Sequence, residues 1–387
     1  MLALVTNLLA NRTIRSIAIQ VFTAFALAAG VTFIAYNTAI NLEARGLASG
    51  FDFLSQPALY DINQRLIHYT SESTHGRALV VGLLNTLLVA VLGIILATII
   101  GFVLGVLSLS PNWLASRAVY CMVEFFRNVP VLLHILLWHG IILGLPKVRD
   151  TLVLGGGTYL NNRGLFLPRP EFEAGASWVF FAFVLAIILS FILVRWNKRR
   201  QVLTGQIFPA YWASLGIIIV LPLFVFMVTG GPINLIAPEA SRFNIKGGIQ
   251  ISPELAALTW ALAIYTGAFI SEIVRAGIQS VSKGQTEASL SLGVSSGRTM
   301  RLVIIPQALR LIIPPLTSQY LNLTKNSSLA IAIGYVDLVG TIGGITLNQT
   351  GQAIECLFIT MMIYLMISLI ISMGMNIYNR RMALVER

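Results

Sequence analysis

Long apolar segments separated by polar ones organise the chain. A segment of about 18 or more uncharged apolar residues is long enough to cross a bilayer as an α-helix. Five segments reach this length and three are shorter or less regular, so the pattern predicts an all-α integral membrane protein with about eight transmembrane helices. The segments are Ile17 to Tyr36, Ala78 to Trp113, Val129 to Leu145, Ser177 to Val194, Ile207 to Val228, Leu255 to Ile270, Leu311 to Leu323 and Leu357 to Tyr378.

The first apolar segment, 17–36, has two readings. Arg12 and Arg15 precede it, as basic residues precede the apolar part of a signal peptide. Its apolar stretch is longer than the usual 7–15 residues of such a peptide, which favours a retained span. We therefore predict an extra N-terminal span within a single transmembrane domain, 1–387.

Composition and charge agree with a membrane protein. Hydrophobic residues make up 56% of the chain and charged residues 11%, against about 25% charged in soluble domains. The net charge of +11 raises the question of a nucleic-acid partner. With spans alternating from a cytoplasmic N-terminus, about sixteen Lys and Arg fall inside and about nine outside. This positive-inside bias predicts cytoplasmic termini, a lipid-bilayer environment and no nucleic-acid partner.

The longest polar interruption between spans runs from Arg275 to Arg301. At helical period it predicts two short amphipathic helices hinged at Gly293, since glycine readily takes the left-handed conformation that ends a helix. Gln285, Thr286 and Glu287 are expected to start the first of them. An ordinary loop is the alternative.

This interruption resembles the EAA loop of ABC-importer permeases. The pattern is Glu287-Ala288-Ser289, then Gly293, then Val303-Ile304-Ile305-Pro306, with small changes at Ser289, Val303 and Ile305. The resemblance implies a cytoplasmic coupling loop, 275–306, that docks on a separate ATPase. The residues assigned to ATPase coupling are Gly284, Gln285, Glu287, Ala288, Gly293 and Pro306.

Longer stretches resemble one group of these permeases. AFISEIVRAGIQSVSKGQTEASLSLG, IIPQALRLIIPPL, FFRNVPVLLHILLW and LTKNSSLAIAIG are similar to the histidine/glutamine/arginine-type polar amino-acid family. The resemblance implies a type I ABC importer permease-like core, 80–140 and 255–380. The extra first span and the inserted span pair, 177–228, look like the general L-amino-acid permease subgroup.

The resemblance implies a bacterial inner-membrane importer of amino acids with several further subunits. They are two copies of an ABC ATPase, a second and paralogous permease, and a periplasmic amino-acid-binding protein. The chain has no G-x-x-x-x-G-K-[ST] phosphate loop, so we expect ATP and Mg on the partner ATPase and neither enzyme activity nor a cofactor on this chain. His134 and His139 are five residues apart and do not share a helix face, so no metal site is predicted.

Polar residues inside apolar segments mark a candidate substrate path. Pro314 and Pro315 predict a broken helix that lines a cavity or, alternatively, a simple kink. The lining candidates are His134, Asn322, Lys325 and Ser328. The alternative is that His134 ties two helices together and Lys325 reaches the membrane interface. Asp337 and Glu355 are expected at an interface as well.

Three functions compete on these observations. The leading one is the permease subunit of an ATP-driven amino-acid importer, which forms the path and couples to the ATPase. An ion-coupled secondary amino-acid transporter would show internal repeats and discontinuous ion-binding helices, and no clear repeat is present. A membrane enzyme would need clustered acids, histidines or metal ligands near an interface, and the sequence has no such cluster.

Overall fold

The structure is a computed structural model that describes residues 12–44, 50–206, 208–241 and 244–382. The predicted cytoplasmic termini, up to residue 11 and from residue 383, lie outside these ranges. The α-helices, numbered along the chain, are α1 (Arg12–Ala44), α2 (His75–Leu107), α3 (Trp113–Asn128), α4 (Val131–Leu143), α5 (Ala176–Thr204), α6 (Ala210–Val228), α7 (Pro253–Gln279), α8 (Lys283–Ser291), α9 (Ser296–Thr299), α10 (Ile305–Asn326), α11 (Leu347–Thr350) and α12 (Ala353–Met382).

The helices confirm the predicted fold class. Seven of the described helical segments are long and apolar enough to cross a membrane, and the pair α3–α4 raises the number to eight. That pair is bent by 106° at a short break. Pro130 occupies the break, where it cannot donate the backbone hydrogen bond that would continue α3.

Contacts divide the chain into two compact units, Met1–Trp138 with Ala257–Arg387, and His139–Ala256. The boundaries expected for the core and for the inserted span pair stay predictions. Each unit is described by itself below.

The first unit is held together by close packing of α2 against α7. Gly101 and Gly105 lie one turn apart on α2, spaced for close helix packing. A Cβ on Gly101 would overlap Ile270, and a Cβ on Gly105 would lie 2.7 Å from the Cβ of Val274. Only glycine therefore permits this helix separation.

The N-terminal end of α2 in the first unit is covered by an ordered cap made by residues 50–74. Ala58, Ile62 and Tyr69 are almost fully buried, and they pack against Ala78 and Val81 at the start of α2. The Tyr69 hydroxyl donates a hydrogen bond to the carbonyl oxygen of Tyr60 at 3.0 Å. The cap covers the first turns of α2 and leads into the polar network described below.

The second unit contains an antiparallel helix pair, α5 and α6, and strands that the apolar pattern does not predict. The strands are β1 (Leu152–Gly155), β2 (Thr158–Asn161), β3 (Gly164–Leu167), β4 (Arg169–Phe172), β5 (Ile233–Ile236), β6 (Glu239–Ala240), β7 (Ile245–Lys246) and β8 (Ile249–Ile251). They form one four-stranded antiparallel sheet, β1-β2-β3-β8, and two pairs, β4-β5 and β6-β7.

Local hairpins and two long-range pairings build these strands. The pairs β1–β2, β2–β3 and β6–β7 are local, whereas β3–β8 and β4–β5 join residues more than sixty positions apart. In the four-stranded sheet, Phe166 of β3 lies opposite Gln250 of β8. Each strand is only two to four residues long. Strands this short leave almost no alternation in the sequence, so they were expected only as polar loops.

Candidate coupling segment and substrate path

The first helix of the candidate coupling segment begins earlier than its sequence indicates. Helix α8 starts at Lys283, and the Gln285 amide donates to the Ser282 carbonyl oxygen at 3.0 Å. Glu287 is thus the fifth residue of the helix, and the prediction that it stands in the first turn is wrong. The Ser282 carbonyl oxygen accepts the first hydrogen bond of the helix. The helix therefore starts upstream of the residues whose composition favours a helix.

The end of α8 is a Schellman turn centred on Gly293. The Val294 amide donates to the Ser289 carbonyl oxygen at 3.1 Å, and the Gly293 amide donates to that of Leu290 at 2.9 Å. Gly293 has φ of +75°, as the predicted hinge requires. A Cβ at this position would meet no atom within 4 Å, so glycine is required by backbone conformation and not by crowding.

The departure from the family pattern at Ser289 is satisfied within the helix. Ser289 is 7% exposed, and its hydroxyl donates to the Gln285 carbonyl oxygen at 2.7 Å. A buried hydroxyl with an intrahelical partner carries little penalty. The serine therefore replaces the family's alanine without disturbing α8.

The remaining coupling residues lie on an open surface. Gly284, Gln285, Glu287 and Ala288 are exposed, and Pro306 is half-buried at the start of α10. The Gln307 side-chain amide donates to Gln285 Oε1 at 3.3 Å, which links α8 to α10. Among the described residues, no side chain pairs with the carboxylate of Glu287.

The structure corrects the expected break in the candidate path. Helix α10 runs without interruption from Ile305 to Asn326, through Pro314 and Pro315. The two prolines lie side by side on an exposed face, where the loss of two backbone donors is tolerated without ending the helix. The α-helix ends only after Asn326, where a 3₁₀ turn, Ser327–Ile333, leads to Gly334 at φ of +78°.

Two of the path candidates lie on one face of α10. Ser318, Asn322 and Lys325 are all exposed and follow each other at helical spacing. The fourth, Ser328, is half-buried and donates its hydroxyl to the Lys325 carbonyl oxygen at 2.7 Å. The exposed polar stripe is therefore Ser318, Asn322 and Lys325, the first of which the sequence reasoning missed.

His134 does not join that stripe. It is 2% exposed, and its Nε2 lies 3.2 Å from the Phe126 carbonyl oxygen. Its ring packs 5.3 Å from the ring of Phe126 and 5.8 Å from that of Tyr265. Phe126 is on α3 and His134 on α4, so the side chain ties the two halves of the bent pair together. The geometry matches the helix-tying alternative.

A buried polar network near the N-terminal end of α2, called the Asp337 network below, was not anticipated as a unit. Asn85 Nδ2 donates to the carbonyl oxygens of Gln64 and Val336 at 2.7 and 2.8 Å. The Thr86 hydroxyl accepts from the Leu338 amide at 3.1 Å. The sequence reasoning missed Asn85 and Thr86, although their polar side chains in an otherwise apolar and uncharged segment are a signal that could have found them.

Asp337 lies at the centre of this network. The carboxylate is fully buried and accepts hydrogen bonds from the Gly340 amide at 2.8 Å and the Tyr364 hydroxyl at 3.1 Å. Burial raises the pKa of the Asp337 carboxyl to about 6, although these hydrogen bonds act to lower it. The expectation that the Asp337 side chain snorkels toward water is wrong, because the segment between α10 and α12 folds back onto α2 and buries it. Glu355 is also mostly buried, and its carboxylate accepts from the Gly50 amide at 3.0 Å.

The second half of the chain matches a known family model. Residues 198–384 match the model for the inner-membrane component of binding-protein-dependent transport systems. The match includes α8, the Schellman turn, α10 and α12.

Relatives match over nearly the whole chain. The general L-amino acid transport system permease protein AapQ of Rhizobium johnstonii is 51% identical, over 96% of this chain and 93% of that protein. The putative amino-acid ABC transporter permease protein YhdX of Escherichia coli is 49% identical, over 98% and 96%. The glutamate/glutamine/aspartate/asparagine transport system permease protein BztB of Rhodobacter capsulatus is 46% identical, over 96% and 95%.

Proposed function

The chain belongs to the family of amino-acid ABC importer permeases, and from that premise we propose that residues 283–306 receive a separate ATPase subunit. The family match makes it a multi-pass permease subunit of the inner membrane. In the proposed assembly, two ATPase copies hold ATP and Mg, and their closure moves α8 and α10. The coupling residues would be Gly284, Gln285, Glu287, Ala288, Gly293 and Pro306.

The observation that carries this proposal is apolar exposure on a polar segment. Leu290 is 50% exposed and Leu292 is 83% exposed, in a stretch that is too polar and too short to cross the bilayer. Large apolar side chains on a water-facing surface mark protein interaction sites when they cluster. The Schellman turn places both leucines beside the exposed face of α8.

Charge introduced at Leu292 tests the proposal. Leu292→Asp should leave the permease folded, because the side chain is already exposed, and should abolish co-purification of an ATPase subunit. Leu203→Asp is the matched control, since Leu203 is also 83% exposed but belongs to the α5 helix end. Equal ATPase recovery from the two variants would remove the segment from the interface.

The polar stripe Ser318, Asn322 and Lys325 supports a path shared with a second, paralogous permease. Lys325 is a charged residue on a helix that meets the criteria for a membrane span. Charged groups facing lipid are costly, so such residues usually face protein or a water-filled cavity. A zwitterionic amino acid also needs donors and acceptors, because burial of its charges without partners is unfavourable. Ser328, in the 3₁₀ turn just beyond α10, belongs to the proposed path, whereas His134 ties the two helices of the α3–α4 pair together.

Uptake by a Lys325→Met variant tests the path. The methionine keeps the length of the side chain and removes its charge, so the complex should assemble while uptake per assembled complex falls. Lys198→Met, which removes a charge from the basic C-terminal part of α5, is the control. Wild-type uptake by Lys325→Met for acidic, neutral and basic amino acids would exclude Lys325 from the path.

We propose cytoplasmic termini and an outer position for the strands of the second unit, where a periplasmic amino-acid-binding protein would approach. The basic cluster near the end of α5 supports this orientation through the positive-inside rule. A cysteine at Gly155, in the β1–β2 turn, should react with an impermeant thiol reagent from the periplasmic side. Reaction only after the inner membrane is permeabilised would reverse the orientation.

A further inference from the structure

A cavity of about 360 Å³ opens where three helices of the first unit meet. The C-terminal ends of α2 and α7 and the first half of α3 form its walls. Ligand pockets in proteins span roughly 300–1,000 Å³, so this cavity is large enough for a ligand group. Helix α8 begins shortly after α7 ends, so the cavity lies at the same membrane face as the coupling segment.

Two guanidinium groups and one carboxylate line the cavity. Arg275 is already occupied, since its Nη2 lies 2.7 Å from Glu272 Oε2 and its Nη1 donates to Gln279 Oε1 at 2.9 Å. Arg117 stacks on the ring of Tyr120 at 5.2 Å, and no carboxylate among the described residues pairs with it. The cavity wall therefore carries a net positive charge with one guanidinium free to bind an anion.

One of the residues that line the cavity carries a buried hydroxyl without a partner among the described residues. Ser271 lines the cavity and is 1% exposed, and its Oγ has no hydrogen-bond partner among the described residues. A buried polar atom is almost always hydrogen-bonded in a native protein, because leaving it unpaired costs free energy. An acceptor supplied by a ligand would satisfy it.

The rim of the cavity is suited to a lipid. Trp113 lines it and is 75% exposed, and Val119 and Val123 extend the apolar wall. Tryptophan is enriched where helices meet the membrane–water interface, and basic pockets between transmembrane helices bind anionic head groups. A guanidinium that can bind a phosphate, beside an apolar wall that can hold acyl chains, suits a phospholipid.

We propose that this cavity binds the phosphate of an anionic phospholipid. Arg117 pairs with the phosphate, the Ser271 hydroxyl donates a hydrogen bond to it, and the acyl chains lie along Trp113 and the neighbouring apolar residues. Because α7 leads directly into α8, an occupied cavity steadies the end of α7 that carries the coupling segment.

Native mass spectrometry of the delipidated full-length chain, purified with its associated subunits, tests the site. Added phosphatidylglycerol should bind in preference to added phosphatidylcholine with the same acyl chains. Arg117→Gln should weaken phosphatidylglycerol binding about fivefold, the effect of one basic residue near an anionic lipid surface. Arg380→Gln removes a charge near the end of α12 that does not line the cavity, and should leave binding unchanged.

Ser271→Ala supplies a second readout. Its melting temperature without lipid should equal or exceed that of the wild type, since the hydroxyl has no partner to lose, while the stabilisation by phosphatidylglycerol should fall. Equal lipid binding by wild type and Arg117→Gln would overturn the proposal. A stabilisation by inorganic phosphate alone that equals that of phosphatidylglycerol would assign the cavity to a soluble anion and overturn the lipid assignment.

Discussion

The candidate coupling segment and the Asp337 network are built in opposite ways. The candidate coupling segment is closed by hydrogen bonds between residues a few positions apart, and it leaves Leu290 and Leu292 exposed. The Asp337 network joins Asn85 and Thr86 to residues about 250 positions along the chain, and it buries both side chains fully. A local structure is suited to receive a partner, whereas a long-range structure holds the permease itself together.

Glycine illustrates the difference. Position 293 requires glycine because its backbone is left-handed, although an added Cβ would meet no neighbouring atom. Gly82 has an ordinary helical backbone, but a Cβ there would overlap the Thr341 hydroxyl and lie 2.8 Å from the Asp337 carbonyl oxygen. Substitution at Gly82 should therefore affect folding, and substitution at Gly293 should affect coupling.

The largest effect is expected from Gly82→Val. The added side chain would push the segment that holds Asp337 and Thr341 away from α2, and overpacking of this kind typically costs about 1–3 kcal/mol or more. The amount of monodisperse permease recovered from membranes should fall severely. Gly374→Val is the control, because a Cβ at Gly374 meets no atom within 4 Å. Normal recovery of Gly82→Val would show that the close approach is not needed.

Gly293→Leu should abolish uptake while the subunit remains in the membrane. A non-glycine residue in the left-handed region costs roughly 1–2 kcal/mol, so the turn between α8 and α9 opens without any clash in the core. Gly293→Asn should retain more uptake, since asparagine takes this conformation more readily. Uptake and ATPase co-purification are measured on the same preparations. Full activity of Gly293→Leu would show that coupling does not depend on the Schellman turn.

Glu287→Lys should weaken ATPase association by less than Gly293→Leu does. Because Glu287 stands beyond the first turn of α8, it contributes little to the helix dipole, whose influence is confined to the terminal turn. Any loss of ATPase association must then come from altered contact between residue 287 and the surface of the ATPase. Glu287→Gln keeps the shape without the charge and should lie between the wild type and Glu287→Lys in a pull-down assay. Identical, full association of both variants would place Glu287 outside the interface.

The smallest effect is expected at His134. His134→Leu loses the contact with the Phe126 carbonyl oxygen, worth about 0.5–1.5 kcal/mol for a typical hydrogen bond. The yield of folded complex should fall modestly, with uptake per complex unchanged. His134→Gln keeps a donor and should restore the yield. A change in amino-acid preference, measured by competition, would return His134 to the substrate path.

Part of the candidate site was readable from the chain because it is local. The spacing from Glu287 to Pro306 and the hinge at Gly293 need only neighbouring residues, so pattern and conformation agree. The start of α8 at Lys283 and the continuity of α10 through Pro314 were misjudged. Composition indicates only which residues favour a helix. The start of α8 depends on the first available carbonyl acceptor, and the continuity of α10 depends on the exposure of its two prolines.

By itself the sequence determined the helical membrane fold, a count of about eight spans and the glycine-hinged helix that begins the candidate coupling segment. Hydrophobic length and short-range hydrogen bonding are properties of consecutive residues. Only the tertiary structure decided that Asp337 is buried, that His134 ties α3 to α4, and that β3 pairs with β8. Each of these depends on which distant segments meet, and on whether a polar group finds its partner in protein or in water. Packing of the whole chain determines which partner each polar group finds, and a local sequence pattern does not reveal it.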